Sequence, residues 1–125
     1  MSEGRKTGDY KDLLVWQKGI ALTKLVYAIT RTFPNDERFG LVTQMRRAAV
    51  SVPSNIAEGQ ARHTTGEFIQ FISHAEGYVA ELDTQLTIAI DLKYCTASGT
   101  APASALIAEL RKMLNALRRK LAARL

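Results

Sequence analysis

Arg46-Arg47-Ala48-Ala49-Val50-Ser51-Val52-Pro53-Ser54-Asn55-Ile56-Ala57-Glu58-Gly59 is the stretch that decides the fold. With the residues just before it, it carries Val42, Met45, Ala49, Val52 and Ile56 at spacings of three and four, the period of one apolar helix face. Pro53 falls in the middle of that repeat. Proline has no N–H to donate, and its ring crowds the carbonyl four residues earlier, here that of Ala49. In a helix interior this costs about 3 kcal/mol. A helix that keeps such a proline needs tertiary packing to offset the loss or a use for the bend, so a second helix kinked at Pro53 is expected. The carbonyl freed at Ala49 needs a donor if buried, and Asn55 or an arginine can supply it. Arg46, Arg47, Ser51, Ser54, Asn55 and Glu58 surround the proline, more polar groups than a plain bundle helix requires.

Outward from this stretch the chain divides into four helical segments. Residues 1–9 are polar and glycine-containing and are expected to be a disordered tail; residues 10–125 form one domain. Asp12 is placed to cap a first helix from about Leu13 to Thr32. Its stripe Leu13, Trp16, Ile20, Thr23, Tyr27 and Thr30 runs beside a second one, Leu22, Val26, Ile29 and Phe33, a wide apolar face. The second helix is expected from Asp36 or Glu37, through Gly40, to Gly59 as the residue just past its end. Thr64 with Glu67 forms a candidate capping box for a third helix reaching about Cys95. Its repeat is Phe68, Ile72, Ala75, Val79, Leu82, Leu86 and Ala89. After the loop Ala97 to Pro102, a fourth helix, with Pro102 in its first turn and Thr100 or Ser98 as cap, carries Ile107, Leu110, Leu114, Leu117 and Leu121 at bundle spacing. Four amphipathic helices, short connections and no strand alternation predict an all-α, antiparallel (up-down-up-down) four-helix bundle.

The net charge of +5 is unevenly placed. Residues 1–50 hold nine Lys/Arg against five Asp/Glu, residues 51–100 two against six, and residues 101–125 six against one. The third helix is acidic outside (Glu67, Glu76, Glu81, Asp83, Asp91) and the fourth is basic (Arg111, Lys112, Arg118, Arg119, Lys120, Arg124). Such asymmetry predicts an anionic partner for the last helix, or attraction between the two helices within or between subunits. No apolar run approaches a membrane span of about 18 residues, and no secretory h-region is visible, so a cytoplasmic protein is expected. The one cysteine, Cys95, excludes an internal disulfide framework.

No catalytic constellation emerges. His63 and His74 lack a third ligand at zinc spacing, and the paired Glu-x-x-His motifs of a diiron bundle are missing. No metal, no cofactor and no enzyme activity are expected. Trp16 reads as core or oligomer contact rather than a base-stacking platform. Arg46 and Arg47 point about 100° apart on a helix. They are expected in ion pairs with Glu58, Glu81 or Asp83, in a subunit contact, or on an anion. Glu58 is expected to pair with Arg62 or an arginine of another helix. Together Arg46, Arg47, Asn55 and Glu58 make a candidate polar network or oligomer contact.

Several stretches carry a resemblance. They are Leu14-Val15-Trp16-Gln17, Phe33-Pro34 with Phe39-Gly40-Leu41, and Gln44 through Gly59, followed by Glu67-Phe68, Glu81-Leu82 and Gln85-Leu86. The chain resembles the four-helix-bundle family of 23S ribosomal RNA intervening-sequence proteins, which includes relatives of the accessory protein of diversity-generating retroelements. The resemblance spans roughly residues 10–95. It implies an antiparallel bundle assembled into a ring, commonly a homopentamer. For the retroelement branch it implies a basic surface that binds RNA and a reverse transcriptase. The expected function is therefore a non-enzymatic homo-oligomer binding RNA or another polyanion through Arg111, Lys112, Arg118, Arg119 and Lys120. The alternative is a structural or adaptor protein that docks a protein partner.

Overall fold

The computed structural model describes residues 9–125. Four helices, with no strand among those residues, build an all-α fold: α1 (Leu14–Thr30), α2 (Leu41–Gln60), α3 (Thr65–Asp91) and α4 (Ala101–Ala122). Short 3₁₀ turns at Tyr10–Asp12 and Asn35–Glu37 precede α1 and α2. Each helix packs on its neighbour in sequence and α4 returns to α1, as in a four-helix bundle. The expected tail, apart from Asp9, lies outside the described residues.

The apolar repeats of α2, α3 and α4 make the core. Met45, Ala49, Val52 and Ile56 face Ile72, Ala75, Val79 and Leu82, with Leu110 and Leu114 from α4, and all are essentially inaccessible to solvent. In α1 the second expected stripe faces the core: Leu22 and Val26 are buried, as is Phe33 just beyond the helix, joined by Val15, Gly19 and Thr30. Of the first stripe, Trp16 and Ile20 are half-buried and Tyr27 is exposed. The inward stripe meets Pro53 of the facing helix. A Cβ on Gly19 would stand 3.3 Å from both Cβ and Cδ of Pro53, so the stripe that contains this glycine lets the proline ring pack closely against α1.

α2 runs through Pro53 as one helix. The donor for the Ala49 carbonyl is neither Asn55 nor an arginine: Thr23 of α1 donates its hydroxyl to Ala49 O at 3.1 Å, shared with Gly19 O at 2.9 Å. Asn55 instead donates Nδ2–H to the Ser51 carbonyl of its own helix at 2.7 Å.

Helix ends show which local signals govern. Asp12 caps nothing; Asp9 accepts from Lys11 N–H, and α1 begins after an extended Leu13 with no side-chain cap. α2 starts at Leu41, later than expected, with Gly40 as the capping residue. The expected acid acts from outside the helix, Glu37 Oε1 accepting from Leu41 N–H at 3.1 Å. Gly59 is not past the end of α2 but buried in its last turn against α3. Thr64 caps α3 by accepting from Glu67 N–H at 3.1 Å, and its hydroxyl donates to Glu67 Oε1 at 3.0 Å. Pro102 stands in the first turn of α4 as expected, whereas Thr100 turns its hydroxyl back to the Thr96 carbonyl.

α3 closes at Asp91, short of Cys95, because the chain reverses there through a left-handed residue. Lys93 has φ 66°, with Tyr94 N–H donating to Ala89 O and Lys93 N–H to Ile90 O, the paired bonds of a Schellman motif. A side chain in this conformation costs roughly 1–2 kcal/mol, part of which returns as the greater unfolded-state freedom of glycine. Lys93→Gly is expected to raise stability by about 0.5–1 kcal/mol, measured as a higher urea midpoint at unchanged slope. Beyond the turn, Tyr94 donates its hydroxyl to Glu37 Oε2 at 2.8 Å, tying this loop to the entrance of α2. The bond to Glu37 raises the Tyr94 pKa above its ordinary value.

Candidate functional site

Burial of Ile107, Leu110, Leu114 and Leu121 in the core fixes which side of α4 meets solvent. At about 100° per residue, Arg111, Lys112, Asn115, Arg118 and Arg119 fall within about a third of the helix circumference. Lys120 falls about half a turn from Arg111. It therefore stands away from Arg111 and Arg118 and extends the arc about 80° beyond Lys112, on the side away from the α3 groove. On that far flank, where α4 meets α1, Glu109 pairs with Lys18 at 3.1 Å.

The α3-facing edge of the basic arc lines an open groove of about 430 Å³ with Arg111, Lys112, Asn115, Arg118, Glu76 and Ala80. Arg118 is held in place: Nε donates to Glu76 Oε1 at 2.7 Å and Nη2 to Asn115 Oδ1 at 2.8 Å. Arg111 Nη1 lies 3.6 Å from Asp83 Oδ2. Attraction between acidic α3 and basic α4 thus operates within the chain and compensates two of the five cations. Lys112 and Arg119 are exposed and make no ion pair among the described residues. Solvent-exposed pairs of this kind contribute about 1 kcal/mol or less. Their interest is chemical: Arg118 is pre-oriented, and free cations flank it. Sequence reasoning passed over Asn115, although it stands four residues after Arg111 and three before Arg118, and it read Glu76 as part of the acidic outside of the third helix.

The second sequence-predicted group does not assemble into one network within the chain. Arg46 pairs with no carboxylate among the described residues. Its Nε donates to Thr30 Oγ1 at 2.9 Å, its Nη2 to the Tyr27 carbonyl at 3.4 Å, and its guanidinium lies 4.5 Å from the Tyr27 ring centroid. It satisfies the carbonyl end of α1. Arg47 is exposed, and its carbonyl accepts the Ser51 hydroxyl. Glu58 meets Arg62 at 4.0 Å, the partner expected for it, and Arg62 also stacks on Phe71 at 4.6 Å. Trp16 meets Tyr10 edge-on at 5.6 Å and His74 meets Phe71 at 5.8 Å. Among the described residues no three His, Cys, Asp or Glu side chains stand close enough to share a metal ion, and no helix is long and apolar enough to cross a membrane.

A family model described as 23S rRNA-intervening sequence protein matches residues 11–116. The chain belongs to that family. No curated protein matches it. The family span holds the Thr23, Ala49 and Pro53 seam, the Thr64 cap, and Arg111 and Lys112, and it stops before Arg118, Arg119 and Lys120.

Proposed function

We propose that this intervening-sequence family member is a non-enzymatic, cytoplasmic homo-oligomer that binds RNA or another polyanion through the basic arc of α4. In this reading the bundle is up-down-up-down, α2 bends at Pro53, and the subunits close a ring, with five the number implied by the family resemblance. The observation that carries the reading is the uncompensated pair Lys112 and Arg119 beside a groove in which Arg118 is already oriented. An arginine fork matches phosphate geometry, and copies of this arc around a ring multiply weak contacts through effective concentration. The family name is consistent with an RNA association. Nothing in the reading requires a reactive group or a cofactor.

The test is retention of a fluorescent single-stranded RNA across a salt series. Binding is expected to fall with a log–log slope of about −0.7 per phosphate contact. Lys112→Glu with Arg119→Glu is expected to weaken it about tenfold or more at low salt. Absence of binding at about 50 mM salt, where phosphate contacts are strongest, would sink the RNA reading, and light scattering that gives a monomer at micromolar concentration would sink the ring.

A second reading has its own observation. Phe39 is 88% exposed and Leu14 57%, apolar surface that suits a protein contact. If the chain is an adaptor docking a protein partner, charge reversal on α4 leaves partner capture intact, and changes at Arg46, Asn55 and Glu58 disrupt assembly or capture.

A further inference from the structure

Where the chain turns from α1 into α2, a pocket of about 140 Å³ opens between the helices. Arg31, Arg38 and Arg46 converge on it from three positions of the turn, with Asn35 at the rim and Thr30 and Phe33 below. No acidic residue lines it. None of the three guanidiniums makes an ion pair among the described residues. Arginine remains charged at any relevant pH, so three like charges border one small concavity with no carboxylate in its lining. Of the two acids of the same turn, Glu37 is bonded to Leu41 N–H and the Tyr94 hydroxyl, and Asp36 pairs with none of the three among the described residues.

Helix-end chemistry accounts for part of this. Arg46 bonds Thr30 Oγ1 and the Tyr27 carbonyl, as a cation at a helix C-terminus does. Those bonds use two of its five N–H donors and leave three. They also lock the guanidinium against Tyr27, so the remaining donors are oriented before any ligand arrives. Arg31 and Arg38 are both exposed, and neither side chain makes a hydrogen bond among the described residues. The Arg38 guanidinium lies 6.0 Å from the exposed Phe39 ring centroid, a loose contact that leaves its N–H donors free. The α1 carbonyl end opposes an anion, but its Tyr27 carbonyl already faces Arg46. The floor is rigid, since Thr30 and Phe33 are buried and Phe33 packs on Tyr94 at 5.4 Å between ring centroids.

We propose that Arg31, Arg38 and Arg46 form a phosphate-binding pocket at the α1–α2 turn, with Asn35 as a neutral donor. A phosphate oxygen set offers acceptors on every side, and guanidinium forks satisfy them bidentately while neutralising the charge. The pocket has room for several waters and therefore for one small oxyanion in their place. The phosphate belongs to a polynucleotide backbone or to a free phosphate compound; the recognition chemistry is the same. The site does not rest on the α4 reading, because no residue is shared between the two.

The test is calorimetric titration of the full chain with inorganic phosphate at low ionic strength, alongside the RNA titration. Arg31→Gln with Arg38→Gln is the test variant; both side chains are exposed, so folding is expected to survive, and an unchanged melting temperature establishes that. Saturable phosphate binding is expected in the parent chain, at least tenfold weaker in Arg31→Gln/Arg38→Gln and unchanged in Lys112→Glu/Arg119→Glu. If the glutamine variant also loses RNA affinity, the phosphate is that of a polynucleotide; if RNA affinity holds, it is a free phosphate compound. No saturable phosphate binding by the parent chain, or equal phosphate binding by the glutamine variant, overturns the proposal. It leaves the α4 reading standing, because that reading is judged by RNA retention in the parent chain and in Lys112→Glu/Arg119→Glu, not by phosphate binding at the α1–α2 turn.

Discussion

Gly59→Ala is expected to destabilise the protein by about 1–2 kcal/mol, although alanine is the better helix former by about 1 kcal/mol. The new methyl group would stand 2.8 Å from Phe71 Cβ, 3.0 Å from Phe68 Cδ1 and 3.3 Å from the Phe68 carbonyl oxygen. A Cβ has no rotamer by which to escape, and Phe71 Cβ is fixed to the α3 backbone. The two helices must therefore separate where they pack most closely, and forced overpacking of this kind costs about 1–3 kcal/mol. Gly77→Ala on the exposed face of α3 supplies the comparison. A Cβ there meets nothing within 4 Å, so the same substitution is expected to add about 0.5–1 kcal/mol. Opposite signs for one chemical change on two helices isolate the contact from the propensity. Thermal or urea unfolding of both variants at one protein concentration measures it, since oligomerisation makes melting concentration-dependent. Equal stabilisation by both alanines would mean that α2 and α3 do not approach this closely at Gly59.

Gly59 also shows where sequence reading stops. The existence of four helices, and the core stripes of α2, α3 and α4, were legible because each apolar repeat is narrow and unbroken over several turns. The Thr64 cap and Pro102 at the head of α4 were legible because their chemistry is local. α1 was legible only in part: the Leu22, Val26 and Phe33 stripe was read, but not that it rather than its neighbour faces inward, since apolar residues cover most of the helix circumference. The inward stripe is the one that sets Gly19 opposite Pro53, a contact that α1 does not display by itself. Glycine served two purposes that a sequence does not distinguish: Gly40 bounds a helix, while Gly59 lets two helices touch. Lys93 occupies a left-handed position that would announce itself only as glycine.

The candidate site was legible in the same uneven way. That α4 is basic needed only counting. That Arg111 and Arg118 are held by Asp83 and Glu76 needed the register of α4 against α3, and that Lys120 stands on the opposite side from Arg111 and Arg118 needed the core to fix the rotation of α4. The Arg31, Arg38 and Arg46 pocket draws on residues up to fifteen apart in sequence and joined by a turn, a grouping that no helical period displays.

Thr23→Val is expected to cost about 1–3 kcal/mol in the parent chain, and much less when Pro53 is also replaced by alanine. Valine keeps the shape of threonine and deletes the hydroxyl, the side-chain donor that reaches the Ala49 carbonyl. Ala49 is fully buried, so its carbonyl would have neither a helical partner nor water, and a buried group left without its bond costs about 1–3 kcal/mol. In Pro53→Ala the residue at position 53 regains an N–H, and that N–H is the natural helical donor to Ala49. The Thr23 hydroxyl then has only the Gly19 carbonyl to serve, which already accepts the helical N–H of Thr23. The two substitutions should therefore be coupled by about 1–2 kcal/mol, within the range found for residues that share a hydrogen-bonded group. Four unfolding free energies, from the parent, the two single variants and the double, determine the coupling. The net effect of Pro53→Ala itself does not enter, so loss of ring packing over Gly19 cannot imitate the result. A cost of Thr23→Val that is the same in both backgrounds would show that the hydroxyl matters only to α1, and that the Pro53 helix bears its missing hydrogen bond without help from its neighbour.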